Sequence, residues 1–245
     1  MQNPLISIIT VTYNAAATLE QTIQSVVNQS PVRYEYWIID GKSTDETIPI
    51  IRRYEPYLTG WLSEPDQGIY NAMNKGIERT TGEWLFFLGA DDALEPDVLT
   101  QVLPYLTADK ALVYGDVRFD TGWRFASALS RRMLFQNTVH HQGAFYHRSL
   151  FDTFRYNQKL RIVADYELNL LIYQQKLVVQ KVPFVIARCR EGGASSEVSV
   201  AIAETNRIRA DYVPGKLRNR ILSVLLSAYY VQKRLRASLF NARRY

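Results

Sequence analysis

At 245 residues, with 47% hydrophobic and 22% charged residues, the chain can bury a sizeable core, and a disordered or fibrous protein is excluded. A single cysteine, Cys189, excludes an intrachain disulfide. The net charge of +5 hides an asymmetry: from Lys216 onward there are eight cations and no acid, so residues 1–215 hold 21 basic against 24 acidic residues.

The opening Met1-Gln2-Asn3-Pro4 lacks the basic region and long apolar core of a secretion signal, and a cytoplasmic location is expected. Leu5–Val11 reads as a β-branched strand, and Leu19, Ile23 and Val26 follow at helical spacing. Tyr36–Ile39 is a second strand, ending at Asp40-Gly41. Ser43 and Glu46 have the form of a capping box that opens a helix through Ile48 and Ile51. Trp61-Leu62 is a brief strand, and Ile69, Met73 and Ile77 mark another helix. Trp84–Leu88 is the most apolar strand. Pro96 is placed to start a helix through Val98, Leu99, Val102 and Leu106. Ala111–Val117, Trp123–Phe125, Gly143–Tyr146 and Leu177–Val182 read as further strands, and Ala164–Gln174 as a helix. The alternation predicts an α/β fold: a mixed, mainly parallel sheet with helices on both faces.

Ligands in open α/β sheets bind outside the carboxyl ends of the strands. The apolar strand 84–88 delivers Gly89-Ala90-Asp91-Asp92 to that edge, and neighbouring carboxylates there suit a hard divalent cation. Thr12-Tyr13-Asn14, Asp40-Gly41 and Ser63-Glu64-Pro65-Asp66 end the other three strands. A tyrosine ring can stack on a base, and a carboxylate can accept hydrogen bonds from ribose or base edges. Each of these segments alone is a turn; their joint placement points to a nucleotide.

The segments Ile8–Asn14, Ile38–Asp45 and Leu88–Asp92 resemble the signature motifs of glycosyltransferase family 2. Glu64-Pro65-Asp66-Gln67-Gly68-Ile69-Tyr70-Asn71-Ala72-Met73-Asn74-Lys75-Gly76-Ile77 is similar to a subgroup that acts in bacterial polysaccharide assembly. The resemblance covers roughly residues 5–195. It implies a GT-A fold, with residues 1–117 binding the nucleotide-sugar and 118–215 the acceptor; residues 216–245 read separately as an appended helix. It further implies that Tyr13 and Asp40 contact the base, that Asp91 holds ribose or phosphate, and that Asp92 holds Mg²⁺ or Mn²⁺; Thr12, Asn14 and Asp66, at the neighbouring strand ends, are expected to join the nucleotide site. The helix after Gly68 carries Lys75 toward the diphosphate. Ala164-Asp165-Tyr166-Glu167-Leu168 resembles the family's base motif, so Asp165 is the expected general base and Glu167 its reserve. His140-His141-Gln142 is expected on the acceptor side. Two departures stand out: Gly41 and Gly89 occupy positions where many members carry an acid.

Leu217, Ile221, Val224, Ala228, Val231 and Leu235 form a helical stripe; its uncharged run Ile221–Val231, bracketed by cations, is too short to span a bilayer but suited to an anionic membrane surface. The charge is confined to this tail and no binding motif accompanies it, so no nucleic-acid partner is expected. The function expected is inverting sugar transfer from a UDP- or GDP-sugar to a lipid-linked glycan, at the inner face of the cytoplasmic membrane. The alternatives are a sugar nucleotidyltransferase and a non-catalytic nucleotide-sugar binding module. The first usually has a glycine-rich basic loop near its N-terminus, whereas Thr10–Ala17 has neither glycine nor cation.

Overall fold

The structure, a computed structural model, describes residues 6–191 and 197–242, with side chains of the last helix described as far as residue 232. Leu5, the first residue of the expected opening strand, lies outside the described residues, as do Leu235 and the five cations from Lys233 onward as side chains.

The chain begins with β1 (Ile6–Thr12), α1 (Leu19–Val27), β2 (Tyr34–Asp40), α2 (Thr47–Tyr54), β3 (Gly60–Ser63), α3 (Ile69–Arg79) and β4 (Trp84–Gly89). It continues through β5 (Ala93–Leu94) and α4 (Val98–Val102) to β6 (Leu112–Phe119). There follow β7 (Arg124–Phe125), β8 (Ala144–His147), α5 (Ala164–Gln174), β9 (Val179–Cys189), α6 (Val198–Tyr212) and α7 (Lys216–Ala242). One sheet takes all the strands in the order β3-β2-β1-β4-β8-β6-β9-β5, with β7 beside β6. β1 to β4 are parallel to one another; β8 runs antiparallel to both β4 and β6. Strands from beyond residue 117 therefore extend the sheet of the first half rather than build a second one.

Side-chain alternation along the strands sorts the core into two layers. Ile6 and Ile8 of β1 and Trp84, Phe86 and Leu88 of β4 pack with α1, α2 and α4. Ile9, Leu85 and Phe87 face the other way, onto α3, α5 and α6. Both faces are covered, which is why β4 reads as an unbroken apolar run. The strand order reverses at β1, between β2 and β4, and this switch point opens the crevice at the carboxyl ends.

Two local expectations fail. Ser43 and Glu46 form no capping box: the Ser43 hydroxyl turns back to Asp40, and Asp45 accepts from Thr47 N (3.0 Å) instead. Pro96 stands outside its helix, because Asp97 adopts a left-handed φ of 56° and the helix begins at Val98. Helix α6 had no counterpart in the sequence reading.

Helix α3, which follows the 64–68 loop, lies tight against β1. A Cβ on Gly76 would stand 2.5 Å from Ile9 Cγ2. Gly76→Ala is therefore expected to lower unfolding free energy by about 1–3 kcal/mol through overpacking, measured by urea denaturation. An unchanged midpoint would mean the helix can move off the strand at no cost.

Candidate active site

A cavity of about 890 Å³ opens over the carboxyl ends of β1 and β4. Ten of the residues expected at the site line it: Thr12, Tyr13, Asn14, Asp66, Asp91, Asp92, His140, His141, Gln142 and Asp165. Three do not. Asp40 is fully buried, and its carboxylate accepts from Ser43 N (2.9 Å), Ser43 Oγ (2.5 Å) and Ser63 Oγ (2.6 Å). These contacts hold the loops after β2 and β3 together. Lys75 is likewise turned away, donating to Pro65 O and pairing with Glu64, each at 2.9 Å. It braces the 64–66 loop. Glu167 points to α6, where it accepts from Tyr212 Oη at 2.5 Å, outside the cavity.

Gly41 explains how Asp66 enters the site. A Cβ at position 41 would lie 2.5 Å from Asp66 Oδ2 and 3.4 Å from the Tyr13 ring. The space left by the absent side chain is filled by the Asp66 carboxylate, whose Oδ1 accepts from Gly68 N at 2.8 Å. Tyr13, 64% exposed, offers a ring face beside it. Asn14, at φ 48°, uses its side chain to accept from Thr44 N (2.8 Å), so it fixes the neighbouring loops.

The turn after β4 is closed by Asp92 N donating to Gly89 O (3.1 Å), and α1 clamps it through Thr22 Oγ1 to Asp92 O (2.7 Å). The absent side chain at Gly89 leaves room for both carboxylates: a Cβ there would be 2.5 Å from Asp92 Oδ2 and 3.1 Å from Asp91 Oδ1. Asp91 is exposed and Asp92 is 5% exposed. Asp92 accepts from Arg190 N (3.1 Å) and Gln142 Nε2 (2.8 Å). Burial, and then the charge of Asp91, push its carboxyl up to about 6. Burial likewise pushes the neighbouring Cys189 thiol up.

Asp165, 7% exposed, faces the same cavity from the first turn of α5. Asn137 Nδ2 donates to its Oδ2 at 2.7 Å, and His141 Nδ1 stands 3.5 Å away. Asn137 is held in turn by Asn169 Nδ2 (3.1 Å) and Val139 N (3.3 Å) donating to its Oδ1, and Asn169 accepts from Tyr146 Oη (3.0 Å). The loop entering α5 is fixed by Glu204 of α6, whose carboxylate accepts from Arg161 N, Ile162 N and Val163 N at 2.6–3.2 Å. Sequence reasoning missed Asn137, Glu204 and Arg190. Arg190 also lines the cavity. The only prior signal was the His140-His141-Gln142 motif, which begins three residues after Asn137. Burial drives His140 down to about 4, so it is a neutral ring at pH 7.

The donors present suit a hard cation. Asp91 and Asp92 offer carboxylate oxygens, and Gln142 Oε1, at the other end of the amide that touches Asp92, is buried without a hydrogen-bond partner. No group of three His, Cys, Asp or Glu able to hold a metal occurs among the described residues. A cation here would complete its shell with phosphate and water oxygens, as Mg²⁺ commonly does.

A sheet of this order, with a carboxylate turn at its switch point and a second carboxylate across the crevice, defines the GT-A class of transferase folds. Comparisons agree. The family model described as glycosyl transferase family 2 matches residues 7–171, and the chain belongs to that family. A "PGL/p-HBAD biosynthesis glycosyltransferase" of Mycobacterium bovis (strain BCG / Pasteur 1173P2) is 39% identical over 210 residues, which is 82% of each chain. Staphylococcus aureus TarS 1–349, solved in complex with UDP-GlcNAc, superposes with a TM-score of 0.70 at 14% identity, covering 91% of this chain and 71% of that one. The mannosyltransferase PcManGT from Pyrobaculum calidifontis, solved with GDP-Man and Mn²⁺, gives 0.67 at 17% identity, covering 100% and 82%. Family membership displaces the nucleotidyltransferase alternative.

The raised Asp92 carboxyl makes a testable trade of stability against site chemistry. Its unfolded value is 3.8 and its folded value about 6, so ionisation opposes folding as pH rises from about 4 to 6 and at constant strength above. Asp92→Asn, with the Gln142 amide turned to accept from it, is expected to raise the melting temperature of metal-free protein by a few degrees at pH 7.5. At pH 4 the gain should vanish. A difference independent of pH would contradict the burial account.

Proposed function

We propose that the protein is an inverting, Mg²⁺- or Mn²⁺-dependent transferase that moves a hexosyl or N-acetylhexosaminyl group from a nucleotide-diphosphate sugar to a hydroxyl of a lipid-linked glycan. The observation that supports it most is the meeting of Asp165 and the Asp91-Asp92 turn across one cavity. The UDP-GlcNAc and GDP-Man complexes of the two structural neighbours support a nucleotide-sugar donor, and the PGL/p-HBAD biosynthesis of the mycobacterial relative supports glycan assembly. In this reading residues 1–117 hold the donor, 118–215 the acceptor, and 216–245 the membrane.

The base stacks on Tyr13 beside Thr12, and the free Oδ2 of Asp66 accepts a hydrogen bond from base or ribose. Asp40, Asn14 and Lys75 keep those loops in place. Asp91 meets ribose or phosphate. Asp92 and Gln142 Oε1 would hold the cation, which when bound supplies Lewis-acid relief of the charge growing on the leaving diphosphate. Arg190 adds a cation from the protein itself. Asp165 takes the proton of the acceptor hydroxyl as that oxygen attacks the anomeric carbon. Asn137 and His141 fix the direction of its lone pairs, and neutral His140 lines the acceptor side.

The last helix fits a surface role. No helix among the described residues is long and apolar enough to cross a membrane. One face of α7 packs on the body: Leu226 is fully buried, Ser223 Oγ accepts from Arg209 (3.1 Å), and Tyr229 meets Phe135 edge-on. The opposite face carries the predicted stripe: Leu217, Ile221, Val224 and Val231 are 53–72% exposed, near Lys216, Arg218 and Arg220. Such a face suits an anionic bilayer on the cytoplasmic side, where each cation contributes on the order of 1 kcal/mol.

Calorimetric titration with UDP and GDP, each with and without Mn²⁺, should give metal-dependent binding of one nucleotide; binding of neither would overturn the donor reading. Asp165→Asn should keep that affinity and lower turnover by on the order of 10²–10⁴. Asn137→Ala should lower turnover less, again at unchanged nucleotide affinity. Near wild-type rates for Asp165→Asn would remove it as the base. Separately, Val224→Glu with Val231→Glu should abolish co-sedimentation with phosphatidylglycerol vesicles at unchanged melting temperature. Retained sedimentation would assign the stripe some other partner.

A further inference from the structure

The hairpin between β6 and β7 turns at Gly122 (φ 85°) and is closed by Phe119 N donating to Trp123 O at 2.7 Å. Its tip presents Trp123, 52% exposed. A single exposed apolar residue is ordinary on a protein surface. This indole differs in being held and in what it is continuous with. It stacks on Phe119 (centroids 5.1 Å apart, 24° between planes) and meets Phe125 edge-on at 5.9 Å. Phe119 and Phe125 line the cavity and both meet the His140 ring edge-on, at 5.7 and 5.5 Å. His140 stacks on His141 at 5.8 Å, and His141 reaches Asp165. A run of aromatic rings thus leads from solvent to the carboxylate that would activate the acceptor.

We propose that Trp123 and its hairpin form an acceptor subsite that takes a pyranose ring of the glycan, the ring's C–H face lying on the indole. This rests on the transferase reading, in which the acceptor occupies the Asp165 side of the cavity. An aromatic ring carries negative charge on its face and attracts the weakly positive C–H hydrogens of a sugar. The surroundings suit a ring that is apolar on its faces and polar around its rim, rather than an acyl chain. Thr121 Oγ1 donates to Glu191 (2.8 Å) and Arg124 pairs with Asp116 (2.8 Å), so hydrogen-bonding groups stand beside the indole. Trp123 itself stands outside the cavity lining. It would therefore meet a ring remote from the reacting hydroxyl, and the acceptor class is a glycoside of more than one ring.

Saturation-transfer NMR on the full chain tests this, with methyl β-glucopyranoside, methyl α-rhamnopyranoside, methyl N-acetyl-β-glucosaminide and maltose as probes and UDP or GDP titrated into the same samples. At least one glycoside should receive saturation on its ring C–H protons with wild type and with Trp123→Phe. With Trp123→Ala the signal should fall by about five-fold, in the range one aromatic face contact supplies, while nucleotide affinity stays the same. Undiminished saturation in Trp123→Ala, or none from any probe with wild type, overturns the subsite. Nucleotide binding without glycoside binding would sink the subsite alone. Glycoside binding that depends on Trp123 without nucleotide binding would sink the donor reading and leave the subsite standing.

Discussion

Asp92 is a carboxylate held 5% exposed at the end of a strand whose other side chains are all apolar, and much of the site is organised around that burial. An ionised group taken out of water is costly unless its lone pairs find donors. Arg190 N and Gln142 Nε2 fill that role, one from the end of β9 and one from the segment before β8. Helix α1 grips the backbone of the same turn from below. Three parts of the chain far apart in sequence thus converge on one residue. What remains uncompensated shows as the upward shift of its carboxyl, which a cation beside it would reverse.

The opposite wall follows a different logic. Asp165 is aimed by a neutral partner, the amide of Asn137, itself fixed by Asn169 and by a backbone N–H; the His141 imidazole stands nearby. A neutral donor orients a carboxylate without the strong attraction of a guanidinium, which would hold the lone pair away from a proton it has to accept. The fixed charge is spent one step further out. Glu204 uses its carboxylate on three backbone N–H groups ahead of α5 and so sets where Asp165 begins its turn. Helix α6 thereby takes part in the site without touching the cavity through Glu204.

The glycines at 41 and 89 show how one small residue reassigns a neighbour. At 89 the missing side chain leaves room for both carboxylates of the turn; at 41 it lets Asp66 lie against the exposed Tyr13 ring. Asp40 and Lys75 show the converse. Both have chemistry suited to a ligand, and both are consumed by loop contacts because closer protein partners reach them first.

The sequence by itself determined the α/β alternation, the strands that end at the crevice, and the chemical types gathered there. Those signals are local: period-two and period-3.6 patterning, apolar runs too long to lie at a surface, and turn residues after them. It did not reveal α6, because that helix buries Glu204, Thr205 and Arg209 beside Ala201 and Ile208 and so shows no clean apolar stripe. The tertiary structure alone decided which polar residues reach the cavity. Asp40, Lys75 and Glu167 differ from Asp66, Asp92 and Asp165 only in the partners that packing brings to them. Asn137, Arg190 and Trp123 carry no spacing signal, since their neighbours come from other strands and helices. Hydrogen-bond partners 28 to 98 residues apart are chosen by how the two halves of one sheet close over the same strand ends, and no local pattern encodes that choice.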